Sequence, residues 1–172
     1  MLKTIKNLIA EGVIKNGTML DLGCGSGKDA IFASDNGFGV TAVDKHFKYK
    51  QEGGSVNFVL GQIEDFDIED KKYDVIYADN SLPFLSKENV EKLLKNASSK
   101  LKEDGTFYFS LFGTNDAWAN DKNMNFWTRD GAEKFVKSLN LKIYRKTEEE
   151  GFAPQMNGEL KYWHIFRFIL KK

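Results

Sequence analysis

Residues 18–44 constrain this chain more than any other stretch. Thr18-Met19-Leu20-Asp21-Leu22 is a short apolar run of the kind that fits a buried strand. Gly23-Cys24-Gly25-Ser26-Gly27 follows directly. Lys28-Asp29-Ala30-Ile31-Phe32-Ala33 then reads as a helix that Gly37 and Gly39 stop, and Val40-Thr41-Ala42-Val43-Asp44 is a second strand. The product is one β-α-β unit with its glycines in the first turn and an acid at the tip of the second strand.

Glycines admit positive φ and let a ligand approach the main chain without meeting a Cβ. The first turn of the helix offers unpaired N–H donors. A carboxylate at Asp44 can accept two hydrogen bonds from a ribose diol. The unit is therefore suited to an adenosine-containing cofactor, and spacing indicates which. In the dinucleotide fingerprint Gly-x-Gly-x-x-Gly the third glycine lets helix and strand pack closely. Counted from Gly23 and Gly25, that place falls on Lys28, while the third glycine comes early, at Gly27. The run Asp21-x-Gly23-x-Gly25-x-Gly27 instead resembles the first motif of class I S-adenosylmethionine-dependent methyltransferases. The resemblance implies that the loop Gly23, Cys24, Gly25, Gly27 passes under the methionine moiety. It also implies that Asp44, followed by Lys45, holds the ribose hydroxyls.

Composition fits a chain of that class. The 172 residues can support one core, and one domain over 1–172 is expected. Twenty-five basic residues balance 25 acidic ones, so there is no global basic field to grip nucleic acid or an anionic membrane. Cys24, the one cysteine, reads as a small spacer in the glycine turn. No apolar run reaches membrane-spanning length and the N-terminus lacks a secretion h-region, so a cytoplasmic setting is expected. The sequence displays no cluster with metal-ligand spacing, and no metal site is expected.

Leu2, Ile5, Leu8, Ile9 and Val13, with Lys3, Lys6 and Glu11 between them, predict an amphipathic helix ending near Gly12 or Gly17. Residues 45–54 are short, polar and broken by Gly53 and Gly54, so the usual crossover helix is reduced or absent, and His46 is expected at the surface. Val56–Leu60 is the third strand. The resemblance places adenine recognition just after it, on Gln62 and Ile63, with Asp65 as a substitute for Gln62. Asp67, Glu69 and Asp70 read as a solvated loop. Residues 73–79 form the fourth strand and put Asp79, Asn80 and Ser81 at its carboxyl end, the edge where open α/β sheets bind ligands. Ser81-Leu82-Pro83-Phe84 has Leu where amino-methylating enzymes of DNA bases and glutamine carry the first of two prolines, which disfavours that chemistry.

Ser86 is the expected N-cap of a helix running to Leu101, residues 102–105 a turn, and 106–112 the fifth strand. The irregular stretch 113–127 carries Trp118 and Trp127, which either line a substrate pocket or cap the core beneath the loop. Thr128 caps a helix over 129–139. Residues 141–147 and 161–170 are the last strands, joined through a polar hairpin connection that includes Glu148, Glu149, Glu150 and Pro154. A hairpin makes these two antiparallel. His164 reads as a hydrogen-bonded core histidine, with a substrate contact as its alternative.

The resemblance spans nearly the whole chain and is closest to small bacterial methyltransferases of the tellurite-resistance-like branch. It implies a Rossmann-like α/β fold: a seven-stranded, mostly parallel sheet in the order 3-2-1-4-5-7-6, its last strand antiparallel, with helices on both faces. It further implies S-adenosylmethionine as donor and S-adenosylhomocysteine as product, with Lys28 meeting the methionine carboxylate and Asp21, Asp79, Asn80 and Ser81 completing the cofactor site. Asp79 is the candidate base; Leu82, Phe84, Trp118, Trp127 and His164 are candidate substrate contacts. The expected function is methyl transfer to a small molecule by a monomer or homodimer. Nucleic-acid or protein methylation, through a groove at Lys45, Lys48 and Lys50, and a non-catalytic cofactor-binding module are the alternatives.

Overall fold

The computed structural model describes residues 4–46, 55–68, 71–155 and 157–172. Leu2 and Lys3 of the first expected helix, residues 47–54 with Lys48 and Lys50, and Glu69 and Asp70 lie outside the described residues.

In chain order the elements are α1 (Thr4–Ala10), β1 (Thr18–Leu22), α2 (Lys28–Asp35), β2 (Gly39–Asp44), β3 (Val56–Leu60), β4 (Tyr73–Ala78), α3 (Lys87–Ser99), β5 (Leu101–Phe112), α4 (Arg129–Lys137), β6 (Lys142–Pro154) and β7 (Leu160–Lys171). A short 3-10 turn, Leu82–Phe84, follows β4. The sheet order is β3-β2-β1-β4-β5-β7-β6, as the resemblance implies. β1, β2, β3, β4 and β5 run parallel, and β7 lies antiparallel between β5 and β6. The strand order reverses between β1 and β4, so a crevice opens beyond their carboxyl ends.

Successive residues of β1 face opposite layers, and both layers are dry. Leu20 and Leu22 pack with Ile76, Ala78, Leu94, Ala97 and Val136 beneath α3 and α4. Met19 packs with Ile5, Leu8, Ala30, Ala33 and Tyr77 beneath α1 and α2. Caps fix where the helices begin: Ser86 Oγ accepts from the Asn89 N–H at 3.1 Å, and Thr128 Oγ1 accepts from the Gly131 N–H at 3.1 Å. Each such cap contributes about 1 kcal/mol.

The structure corrects three boundaries. α1 ends at Ala10, and Val13, expected on its face, is buried in the turn beyond it, where Gly12 has φ +66°. β5 begins at Leu101, where a helix end and then a turn were expected. Leu101 pairs with Tyr73 and Thr106 with Val75, so residues 102–105 bulge out of the strand, with Asp104 at φ +62°. β6 runs on through Glu148, Glu149 and Glu150 to Pro154, and the chain reverses only at residues 155–159, where the Gln155 N–H donates to Glu159 O. Three consecutive glutamates read as part of a polar hairpin connection. In an edge strand each finds a cross-strand or helix partner: Arg129 for Glu148, Arg167 for Glu149 and Tyr162 for Glu150.

Candidate functional site

The crevice beyond β1 and β4 is a cavity of about 540 Å³. Its floor is the glycine turn. Gly23 has φ +85°, and a Cβ there would lie 2.2 Å from the Ser81 Cβ, so the turn presses against the segment after β4. The Ser81 hydroxyl closes this contact by donating to Leu22 O at 2.6 Å. Gly25, at φ +53°, has open space where a Cβ would stand. Gly27 caps α2 in the left-handed region and packs under the Phe58 ring.

Asp44 is anchored on both carboxylate oxygens. Oδ2 accepts from the Gly25 N–H and Oδ1 from the His46 N–H, each at 2.8 Å. Of the expected cofactor residues, Asp21, Gly23, Cys24, Gly25, Asp44, Lys45, Gln62, Ile63, Asp79, Asn80 and Ser81 line the cavity, and so does the expected substrate contact Phe84. The lining also takes in Ser26, Asp29, Glu64, Tyr77 and Leu85, which sequence reasoning did not single out. Asp29 faces inward from the first turn of α2, where an acid reads equally well as a favourable partner of the helix dipole. Only the neighbouring Tyr77, whose hydroxyl donates to Asp29 Oδ2 at 3.1 Å, reveals its direction.

Five carboxylates, Asp21, Asp29, Asp44, Glu64 and Asp79, therefore line one cavity. Asp21 is wholly buried. Burial, and then repulsion from Asp29, Asp79 and Asp44, raises its pKa well above the usual carboxylate range. Its Oδ2 is buried without a hydrogen-bond partner among the described residues. Burial also raises Asp29 and Asp79. For Asp29 the Tyr77 hydroxyl and the Lys6 ammonium partly oppose the shift; for Asp79 the opposition comes from Arg167, the Tyr108 hydroxyl and Ser110. Tyr108 OH donates to Asp79 Oδ1 at 2.9 Å. Burial and the charges of Asp21 and Asp44 push the Cys24 thiol up to about 12, which makes it a spacer and not a nucleophile at neutral pH. A ligand that carries positive charge fits this cavity, because it relieves the crowded carboxylates, Asp21 above all.

Several expected site residues lie away from that lining. Lys28 is exposed on α2, and Gly27 is buried behind the turn. Leu82 is in the core, and its carbonyl accepts from Asn125 Nδ2 at 2.8 Å. Trp127 is 1% exposed, packs on Phe135 and donates from Nε1 to Asn125 Oδ1, so it caps the core under the loop. Trp118 joins Phe112 and Trp163 around the Lys161 ammonium, which pairs with Asp116 at 2.5 Å. His164 is buried against Gly113, where a Cβ would lie 2.2 Å from Nδ1. Strand pairing brings His164, Glu148 and Glu150 together with ligand atoms within 4.8 Å, a grouping invisible in the sequence. However, Nδ1 of His164 accepts from the Asn115 N–H at 3.1 Å, which leaves the proton on Nε2, 3.0 Å from Glu148 Oε1. The ring then offers these carboxylates a donor and has no lone pair for a cation.

The sequence matches the family model of a methyltransferase domain over residues 2–150. No curated protein matches it. Among solved structures, TehB from Haemophilus influenzae superposes with a TM-score of 0.81 at 18% identity, covering 100% of this chain and 62% of that one. The chain thus spans less than two thirds of the length of TehB. The 1,6-didemethyltoxoflavin-N1-methyltransferase of Burkholderia thailandensis, crystallised with 1,6-didemethyltoxoflavin and S-adenosylhomocysteine, superposes at 0.70 with 18% identity, covering 99% and 77%. The N-methyltransferase NodS of Bradyrhizobium japonicum, in complex with S-adenosylhomocysteine, superposes at 0.69 with 16% identity, covering 98% and 84%. At these identities the likeness is one of fold.

Proposed function

Since the chain belongs to the methyltransferase domain family, we propose that it transfers a methyl group from S-adenosylmethionine to a small-molecule acceptor. The observation that carries this reading is the wholly buried carboxylate of Asp21, whose Oδ2 has no hydrogen-bond partner among the described residues, on a cavity lined by further acids. Two structural neighbours of the same fold were crystallised with S-adenosylhomocysteine. The donor brings an ammonium and a sulfonium, and its methyl group is already activated.

This chain's residues then have separable tasks. Asp44, fixed by the Gly25 and His46 amides, takes the ribose diol. Gln62 and Ile63 take the adenine, and Glu64 closes that end. Asp21 and Asp29 face the cationic end, over the glycine turn. Lys28, exposed on α2, is not assigned the methionine carboxylate. At the carboxyl end of β4, Asp79, Asn80 and Ser81 border the place where the acceptor must sit, with Phe84 as an apolar wall. Holding a nucleophile in line and excluding water accounts for most of such a rate enhancement. Where the acceptor must lose a proton, Asp79 takes it, and its raised pKa makes it a stronger base than an ordinary carboxylate. A compact chain with balanced charge fits a small acceptor better than a polymer.

Calorimetry with S-adenosylhomocysteine and with NAD tests the reading. Wild type is expected to bind the first and not the second. Asp44→Ala should weaken binding at least tenfold, about 1.4 kcal/mol. Preference for NAD, or undiminished binding by Asp44→Ala, would overturn it.

A further inference from the structure

A second recess, of about 130 Å³, is lined by Asn7, Leu8, Tyr108, Arg145, Glu149 and Arg167 among others. Tyr108 lines this recess and touches two residues that line the main cavity. Its ring stacks on Tyr77 at 4.9 Å, and its hydroxyl donates to Asp79; both partners line the main cavity. The recess therefore adjoins the end of the site where an acceptor would react.

Arg167 is the unusual group here. Its side chain is 10% exposed, while the carboxylate beside it, Glu149, is 54% exposed. Nη1 lies 2.8 Å from Glu149 Oε2 but not in hydrogen-bonding alignment, so among the described residues Nη1 is buried without a hydrogen bond. The charge faces Asp79 and Glu149, but a buried guanidinium donor with no aligned acceptor keeps part of its desolvation cost. The other charges facing the recess are already matched: Arg145 pairs with Glu11 at 2.7 Å. A planar oxyanion is the ligand whose geometry matches the guanidinium fork. The volume is that of about four waters, enough for a carboxylate on a short stem against Leu8 and Ile169.

We propose that this recess receives the anionic end of the methyl acceptor, a carboxylate or an oxyanion of similar size, on Arg167, with the nucleophile on the Asp79 side of Tyr108. This rests on the methyl-transfer reading and narrows its substrate to small organic acids.

The test offers labelled S-adenosylmethionine with a panel of small acids, each paired with its own amide, to wild type, Arg167→Met and Arg167→Lys. Acids should be methylated at least tenfold faster than their amides. Arg167→Met should raise KM for the acid at least tenfold with S-adenosylhomocysteine binding unchanged, and Arg167→Lys should recover part of the loss. If Arg167→Met does not fold, Arg167→Lys is read by the same rise in KM. Amides accepted as well as acids, an unchanged KM, or no acid methylated by a protein that binds S-adenosylhomocysteine would each overturn the proposal. Wild type that fails to bind S-adenosylhomocysteine overturns the methyl-transfer reading instead.

Discussion

The backbone N–H of Gly25 donates to Oδ2 of Asp44 at 2.8 Å, tying the glycine turn of β1 to the tip of β2. With the His46 N–H on Oδ1, the carboxylate is oriented before any ligand arrives. A ribose diol then meets a fixed acceptor pair, and less ordering accompanies binding.

The two glycines flanking Cys24 should respond differently to a methyl group. Gly23→Ala places a Cβ 2.2 Å from the Ser81 Cβ at φ +85°, a clash between two backbone-anchored segments. Gly25→Ala meets nothing within 4 Å and carries only the strain of φ +53°, roughly 1–2 kcal/mol. Gly25→Ala should therefore fold with a modestly lowered Tm yet bind S-adenosylhomocysteine poorly, because its methyl projects where the ligand approaches. Gly23→Ala should lose much more stability. Equal Tm values for the two variants would contradict this account of the turn.

The sheet order and most of the cavity lining were legible through the family resemblance, whose motifs are local. The glycine turn, the acid at Asp44 and the Asp79-Asn80-Ser81 segment all sit at the ends of strands, where the resemblance implies them. What escaped depends on tertiary partners. Asp29 and Lys28 are adjacent at the start of one helix, and only the packing of α2 on Tyr77 turns the first inward and leaves the second exposed. Glu148, Glu149 and Glu150 look like loop residues until Arg129, Arg167 and Tyr162 are known to face them. Trp127 gives no sign in the sequence of its bond to Asn125 Oδ1, which commits it to the core.

Asp74 should carry part of the acid limb of stability. Partial burial pushes its pKa up, but the Lys102 ammonium and the Thr18 N–H and hydroxyl outweigh that and hold it at about 2. A depressed native pKa means stability that is present above the usual 3.8 and is lost as pH falls toward 2. The side chain is 36% exposed, so solvent screening limits the contribution to at most about 1 kcal/mol. Urea unfolding of wild type and Asp74→Asn should converge as pH falls from 5 to 2.5. A constant difference across that range would rule this linkage out.

Asp21 should behave in the opposite sense. Burial first, and then its acidic neighbours, raise its native pKa well above 3.8. The folded chain then retains a proton that the unfolded chain releases, so stability declines as pH rises from 3.8 toward the native value. Asp21→Asn removes that ionisation. It should match wild type near pH 3.5 and be the more stable at pH 7. A gain of about 1 kcal/mol there corresponds to a Tm higher by about 2–4 °C. The same substitution takes away the negative charge that a cationic ligand would meet, so S-adenosylhomocysteine binding should weaken at least tenfold while the fold gains stability. Thermal unfolding from pH 3.5 to 7 and calorimetry at pH 7 measure the two effects. If Asp21→Asn were the less stable protein at pH 7, the buried carboxylate would be a structural hydrogen-bonding group and not an unpaired charge awaiting a cation.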